Sequence, residues 1–380
     1  MGEVSSEVAG SALVRRLNAG RLLEQLRRGE AMSTNELVDR TGLSRPTVHA
    51  AAEHLKQLGW VDEQAGPVAG RGRPSRVFAF RPGAGYVLGV DIGAHTVRVR
   101  LADLRGADVV SSERVFPDPS IGAASRVASV RALLEATLAS ASVRVGQVLC
   151  VCVGTSGPVS ADGVVRLRTG IPGFLDLDLR AEFTRGYGWD VLVENDCNLA
   201  ALGERWRGLA VSAQNVVCLL AGERLGAGII VDGRLVRGHQ SSAGGLDFLR
   251  LMGDSSSADG IASLLRAHTG RPAESVFDAA TSGDAAAAAA VSAAVAPVAS
   301  AIATIGVLLD PELVVISGAV AAAGEALATP IRSHLATLGV AAPRVAASPL
   351  REQAVITGAV RLALERAESR YLQGLLAAPA

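Results

Sequence analysis

Two short helices hinged on a glycine are written into residues 33 to 60, and they constrain the fold more tightly than any other stretch of the chain. Ser33 caps the first helix, and Glu36 three residues on completes a capping box in which each side chain takes the other residue's free amide. Gly42 ends that helix, because glycine enters the left-handed conformation of a tight turn without a Cβ penalty. Ser44 caps the second helix, and Pro46 fits its first turn, where no intrahelical donor is needed. Val48, Ala51, Leu55 and Leu58 then line one apolar face. An earlier helix is expected through Leu17, Leu22, Leu23 and Leu26, stopping at Gly29.

Behind the second helix, Trp60-Val-Asp-Glu and Val77-Phe-Ala-Phe80 predict two strands joined by the basic connection from Gly66 to Arg76. Helix, turn, helix and a two-stranded wing make up a DNA reader over residues 1–82. In such a reader the second helix presents Ser44, Arg45, Thr47, His49 and Ala50 to base edges in the major groove, and Ser33 is counted with the DNA-binding residues. Arg71, Arg73 and Arg76 on the wing suit a narrow minor groove, where the potential is most negative. A plain helical hairpin with a solvated loop is the alternative. Charge favours the reader: residues 1–82 hold twelve Lys and Arg against nine Asp and Glu, while the whole chain is balanced at zero.

The 380 residues leave room for two or three domains, and 49% hydrophobic against 19% charged residues excludes a disordered chain. Cys150, Cys152, Cys197 and Cys218 have no metal-ligand spacing, and the first two sit in an apolar run that reads as a buried strand. No basic stretch followed by a long apolar run opens the chain, so a cytoplasmic protein is expected. The Ala-rich stretch from Ala285 to Val298, interrupted by Ser292 and Pro297, reads as a packed helix rather than a membrane span.

From residue 83 on, strands repeatedly run into glycine turns. Tyr86-Val-Leu-Gly-Val-Asp-Ile-Gly93 places Asp91 at a strand end beside Gly93, where backbone amides can cradle an anion. Ser156-Gly157-Pro158 forms a second turn, and Val191-Leu-Val-Glu-Asn-Asp196 feeds Asn195 and Asp196 into a helix start. An aspartate there can take a proton from a sugar hydroxyl while the amide fixes others; helix capping is the plainer role. Leu225-Gly-Ala-Gly-Ile-Ile-Val-Asp-Gly233 reads as a strand carrying Gly226 and Gly228 with a tight turn at Asp232-Gly233, and Ser317-Gly318 after an apolar strand completes the series.

This ordered series, behind the reader, resembles the ROK family of repressors and sugar kinases from the N-terminal reader to about Ala363. The resemblance implies a two-lobed, actin-like α/β sugar-kinase fold over residues 83–380. Its lobes are expected at roughly 83–196 plus the C-terminal helix, and at 197–355. It implies a ligand cleft between the lobes, formed by Ser156, Gly157, Asn195, Asp196 and Gly245. Nucleotide-type loops are expected at Asp91, Gly93, Gly226, Gly228 and Gly318. It also implies a homodimer or higher homo-oligomer, suited to two DNA half-sites.

The family pattern then breaks. Its kinases grip sugar hydroxyls with a Glu and a His where this chain has Gly245 and Phe248. A buried hydroxyl left unpartnered costs about 1–3 kcal/mol, so Asp196 reads as a vestigial base. The family's zinc cysteines are replaced by Leu249-Arg-Leu-Met-Gly-Asp-Ser-Ser-Ser257, and neither metal nor other cofactor is expected. Glu223 sets a negative charge where nucleotide phosphates would lie. The chain therefore reads as a DNA-binding regulator, a repressor of carbohydrate-related genes. Its partners are a double-stranded operator and a sugar or sugar-derived effector, with no membrane. An autoregulating sugar kinase and a ligand-free dimeric regulator stay open as alternatives.

Overall fold

The computed structural model describes residues 3–66, 76–116, 118–166, 170–246, 259–339 and 342–377. The reader comprises α1 (Glu3–Arg28), β1 (Met32–Ser33), α2 (Thr34–Thr41), α3 (Arg45–Gln57), β2 (Val61–Ala65) and β3 (Arg76–Phe80). Leu22, Leu23 and Leu26 of α1 and Val48, Ala51 and Leu55 of α3 are buried together with Leu37 of α2, as the helical spacing expected, but Leu17 and Leu58, expected on the same stripes, are about half exposed. β3 is the central strand, pairing β2 from Val61 opposite Phe80, and it also pairs the two-residue β1 through Met32 and Phe78. That third strand was not expected from sequence, since two residues carry no periodicity. The wing tip with Arg71 and Arg73 lies outside the described residues.

A single 3-10 turn at Pro82–Ala84 leads into the first lobe: β4 (Tyr86–Ile92), β5 (Thr96–Asp103), β6 (Asp108–Val115), α4 (Ala123–Ser140), β7 (Val148–Thr155), α5 (Leu179–Thr184) and β8 (Val191–Asn195). Its sheet runs β6-β5-β4-β7-β8. After α6 (Asp196–Arg207) come β9 (Val216–Ala221), β10 (Leu225–Val231), β11 (Arg234–Leu235), α7 (Ile261–Thr269), α8 (Ala273–Thr281), α9 (Ala285–Leu309), β12 (Leu313–Ser317), α10 (Glu325–Thr337) and β13 (Arg344–Ala347). The second sheet runs β11-β10-β9-β12-β13.

The two sheets share one plan. Each is an antiparallel meander of three strands, with two further strands added parallel to the first. The C-terminal ends of the parallel strands therefore lie along one edge of each sheet, the place where open α/β sheets hold ligands. All four cysteines are buried and none forms a disulfide, and burial pushes the Cys150 thiol up to about 12. α9 runs unbroken through Pro297, as the packed-helix reading of this Ala-rich stretch expected, and by length and composition it could cross a bilayer. In this fold its Val291, Ala294, Val295, Val298 and Ile302 are buried in the second lobe's core.

The closing helix α11 (Ala354–Ala377) crosses α6 backbone against backbone. A Cβ added at Gly358 would sit 1.8 Å from the Leu199 carbonyl oxygen, and one at Gly203 would sit 2.2 Å from the Ala354 carbonyl oxygen. Because neither obstacle is a flexible side-chain end, the helices would have to separate. Gly203→Ala is expected to destabilise the fold by at least about 2 kcal/mol in urea unfolding. An unchanged midpoint would mean that the crossing is loose.

Candidate functional site

Two places gather the sequence-predicted residues. In the reader, Ser33 is committed to its capping box: its amide donates to Glu36 Oε2 at 2.7 Å and its Oγ accepts from Glu36 N at 3.3 Å. Gly42 takes φ 69° and its amide donates to Val38 O at 2.8 Å, which sets the angle between α2 and α3. Ser44 Oγ accepts from Thr47 N and lies 2.8 Å from Thr47 Oγ1, so both hydroxyls serve the cap. Arg45 and His49 stay exposed on the outer face of α3, His49 standing edge-on to Phe78 of the wing. Arg76 pairs with Glu63 at 2.9 Å, and Glu63 also takes Lys56 at 2.7 Å. That ion network ties the end of α3 to the wing.

The second place is a cleft enclosing about 640 Å³ of atom-free space, part of it open to solvent. Ser156, Gly157, Asn195, Asp196, Gly226 and Gly245 all line it. Asn195 is the N-cap of α6: its Oδ1 accepts from Cys197 N at 2.9 Å and Asn198 N at 3.2 Å, while its Nδ2 donates to Gly157 O at 3.0 Å. Asp196 Oδ1 accepts from Cys197 N at 2.8 Å and from Asn195 Nδ2 at 3.1 Å. Beneath them the buried Glu194 accepts from Asn195 N and Asn198 Nδ2, each at 2.9 Å, and from Arg237 Nε at 2.6 Å. Arg237 belongs to the loop after β11, so this ion pair joins the lobes under the cleft. Sequence reading gave neither partner a role, because 43 residues separate them.

Asp91 is buried, 3.6 Å from Arg98, with Glu113 and Asp196 as further charged neighbours. Burial outweighs the attraction of Arg98, and the carboxyl is pushed from 3.8 up to about 7. The turn at Gly93 is held from behind by Arg126, a fully buried guanidinium donating to the carbonyls of Gly93, Ala94 and Pro119 at 2.9 Å each. Arg126 was missed in sequence, although an arginine amid Val127, Val130 and Leu134 of α4 is the signal that would have found it.

Two of the expected loop glycines lie in a strand. Gly226 and Gly228 are strand residues of β10, paired with Leu220 and Cys218, rather than loop glycines. They are small because α6 lies on them: a Cβ at Gly228 would meet the Cys197 carbonyl oxygen at 2.1 Å. Gly318 does sit in a turn, at φ 90°, but its amide donates to Arg351 O at 3.2 Å. Glu223 is not a bare charge, since Arg266 of α7 grips both its oxygens and holds its carboxyl below the usual range, with His95 across the cleft adding a smaller effect. Phe248 and the stretch from Leu249 to Ser257 lie outside the described residues.

Comparison with known proteins settles the family. The ROK family model matches residues 87–252 and 254–366, and a MarR family model matches residues 13–72. The chain belongs to the ROK family. It is 25% identical over 240 residues to the xylose repressor of Bacillus subtilis, covering 63% of this chain and 61% of that protein. It thus spans about three fifths of that repressor's length. It is 26% identical over 267 residues to a glucokinase of Halalkalibacterium halodurans, covering 62% of this chain and 80% of the kinase. In structure it resembles a ROK family transcriptional regulator, a homolog of the E. coli MLC protein, with a TM-score of 0.74 at 20% identity over 96% of this chain and 99% of that one. A Streptomyces griseus ROK glucokinase, solved with glucose and AMPPNP, matches with a TM-score of 0.64 at 23% identity over 74% of this chain and 100% of the kinase. The helix-turn-helix reader and the two-lobed ROK core expected from sequence are both present.

The shifted Asp91 has a measurable consequence. Between 3.8 and about 7 the folded protein holds a proton that the unfolded chain has released, so stability falls as pH rises through that window. Asp91→Asn mimics the neutral form and should flatten this slope, leaving the variant more stable than the parent above about pH 7. Urea unfolding across the window reads the two slopes, and identical slopes would place the Asp91 titration outside it.

Proposed function

We propose that this ROK protein is a DNA-binding transcriptional regulator, a repressor of carbohydrate-related genes that acts as a homodimer or higher homo-oligomer on a double-stranded operator. Its cleft binds a sugar or sugar-derived effector and does not transfer phosphoryl groups. The observation that carries this reading is the union, in one chain, of a capped recognition helix with Arg45 and His49 outward and a ROK cleft whose Glu position is Gly245. The relatives named as xylose repressors support it, as does the likeness to a ROK regulator across reader and core. Ser44, Arg45, Thr47 and His49, with Ser33 and Arg76 beside them and Arg71 and Arg73 on the wing, form the DNA face. Phosphate-facing arginines contribute affinity at any sequence, whereas a base-facing Arg45 contributes specificity.

Fluorescence anisotropy on the DNA upstream of the protein's own gene tests the reader. Arg45→Ala and Arg73→Ala should each weaken binding about tenfold or more. If affinity stays unchanged in both, helix and wing are wrongly assigned.

Kinase chemistry is the second reading, favoured by Asp196 at the cleft and by the glucokinase relatives. It predicts ATP turnover with a sugar, abolished by Asp196→Asn. Under the proposal no turnover is expected with glucose or xylose, while one of them, or a phosphorylated or amino derivative, raises the melting temperature and shifts DNA affinity. A sugar that does neither would leave the core as a dimerisation scaffold.

A further inference from the structure

We propose that α6 is the mechanical link between cleft and reader, and that Arg105 passes its position on to α1. This rests on the regulator reading above. The link has three parts that touch in sequence. α6 starts in the cleft, where Asn195 ties its first turn to the Gly157 carbonyl, and its twelve residues span about 18 Å. Along the way it has no side-chain slack: Gly203 and Gly358 bring it onto α11, and Gly228 brings β10 onto it. A helix packed this way shifts as a body rather than bending.

Its far end grips the turn between β5 and β6. The Trp206 ring fills the space over Gly106, where a Cβ would come within 2.6 Å of it. Arg207, stacked on Trp206 at 3.9 Å, donates to the Gly106 carbonyl and to Asp108 Oδ1. Asp103 Oδ1 stiffens the turn by accepting from the amides of Arg105 and Ala107 at 2.9 Å each.

From this turn the exposed Arg105 reaches into the reader. Its Nη2 donates to Gly29 O at 2.9 Å and Leu26 O at 3.4 Å, and its guanidinium lies 5.8 Å from the centroid of the Phe80 ring on β3. The last carbonyls of α1 lack intrahelical donors and carry the negative end of the helix dipole, so a cation there is held by geometry and charge together. A second tie, Arg27 with Glu368 of α11, fixes α1 to the core without passing through the turn.

A double-mutant cycle on the full-length protein tests the link, read as affinity for its own upstream DNA. Asn195→Ala should change that affinity about fivefold or more, and by less than about twofold in an Arg105→Ala background. Glu368→Gln should leave the Asn195→Ala effect intact. Asn195→Asp, which keeps a capping oxygen but repels the Gly157 carbonyl, replaces Asn195→Ala if that variant melts early. Hydrogen exchange in the last turn of α1 gives a readout without DNA: the cleft variant should raise it only when Arg105 is present. Equal cleft effects with and without Arg105, or no cleft effect in either readout, overturn the proposal. Failure to bind the upstream DNA with the exchange coupling preserved would count against the regulator reading and for the link.

Discussion

The ROK core is tied together by a helix whose closest approaches to its neighbours run through glycines. α6 touches α11 through Gly203 and Gly358, and it lies on β10 at Gly226 and Gly228. At such distances the main chains themselves form the interface, and every ångström of separation would open a void lined by atoms that lose their dispersion partners. The crossing therefore fixes the position of α6 more tightly than interdigitated leucines could, since no rotamer change can absorb a shift. Its N-terminus delivers Asn195 and Asp196 to the cleft, and its C-terminus delivers Trp206 and Arg207 to the turn beneath the reader. Glu204, fully buried near that end, accepts from Leu209 N and Ser348 Oγ and so joins the helix to the strand end after β13.

The repeated sheet plan explains why the cleft lies where it does. In each lobe the hairpin after the first strand and the loop after the fourth emerge at the same sheet edge, which brings Gly93 and Ser156 to one wall and Gly222 and Gly318 to the other. Each hairpin is braced by an arginine. Arg126 binds three carbonyls behind Gly93, while Arg266 neutralises Glu223 beside Gly222. The braces differ in kind, because Arg126 is buried and serves backbone groups that have no other donors, whereas Arg266 is exposed and its ion pair is screened by solvent.

What the sequence disclosed, and what it hid, follows from the range of each interaction. The capping box of Ser33 and Glu36, the Gly42 turn and the Ser44 cap are contacts within three or four residues, so they could be read directly and the helix bounds followed. The hairpin from Tyr86 to Asp103 was equally local. The strand from Leu225 was legible too, and it was the family resemblance that assigned its Gly226 and Gly228 to a nucleotide-type loop. Only the crossing of α6, a tertiary contact, shows that their absent side chains make room for another backbone. Pro297 did not hide α9, which the apolar Ala-rich stretch already announced as a packed helix, and burial of that helix in the second lobe's core outweighs the hydrogen bond that proline removes. Glu194 with Arg237, and Arg105 with the end of α1, join residues far apart in the chain and leave no periodic trace.

Asn195 and Asp196 at the cleft are bonded to one another and to the main chain, so a ligand that binds them exchanges internal bonds for its own. A phosphoryl-transfer site needs its groups held in place and waiting for substrate, since misplacement by an ångström forfeits the advantage of proximity. Here Asn195 spends its Oδ1 on the first turn of α6 and its Nδ2 on the Gly157 carbonyl and Asp196 Oδ1, so a hydroxyl that bonds to Asn195 Nδ2 competes with one of those acceptors. A ligand that takes the place of Gly157 loosens one of the ties between the start of α6 and the first lobe. A ligand shifts a conformational equilibrium only by its difference in affinity between states. Competition for an internal bond supplies that difference, because the bond is intact in one state and exchanged in the other.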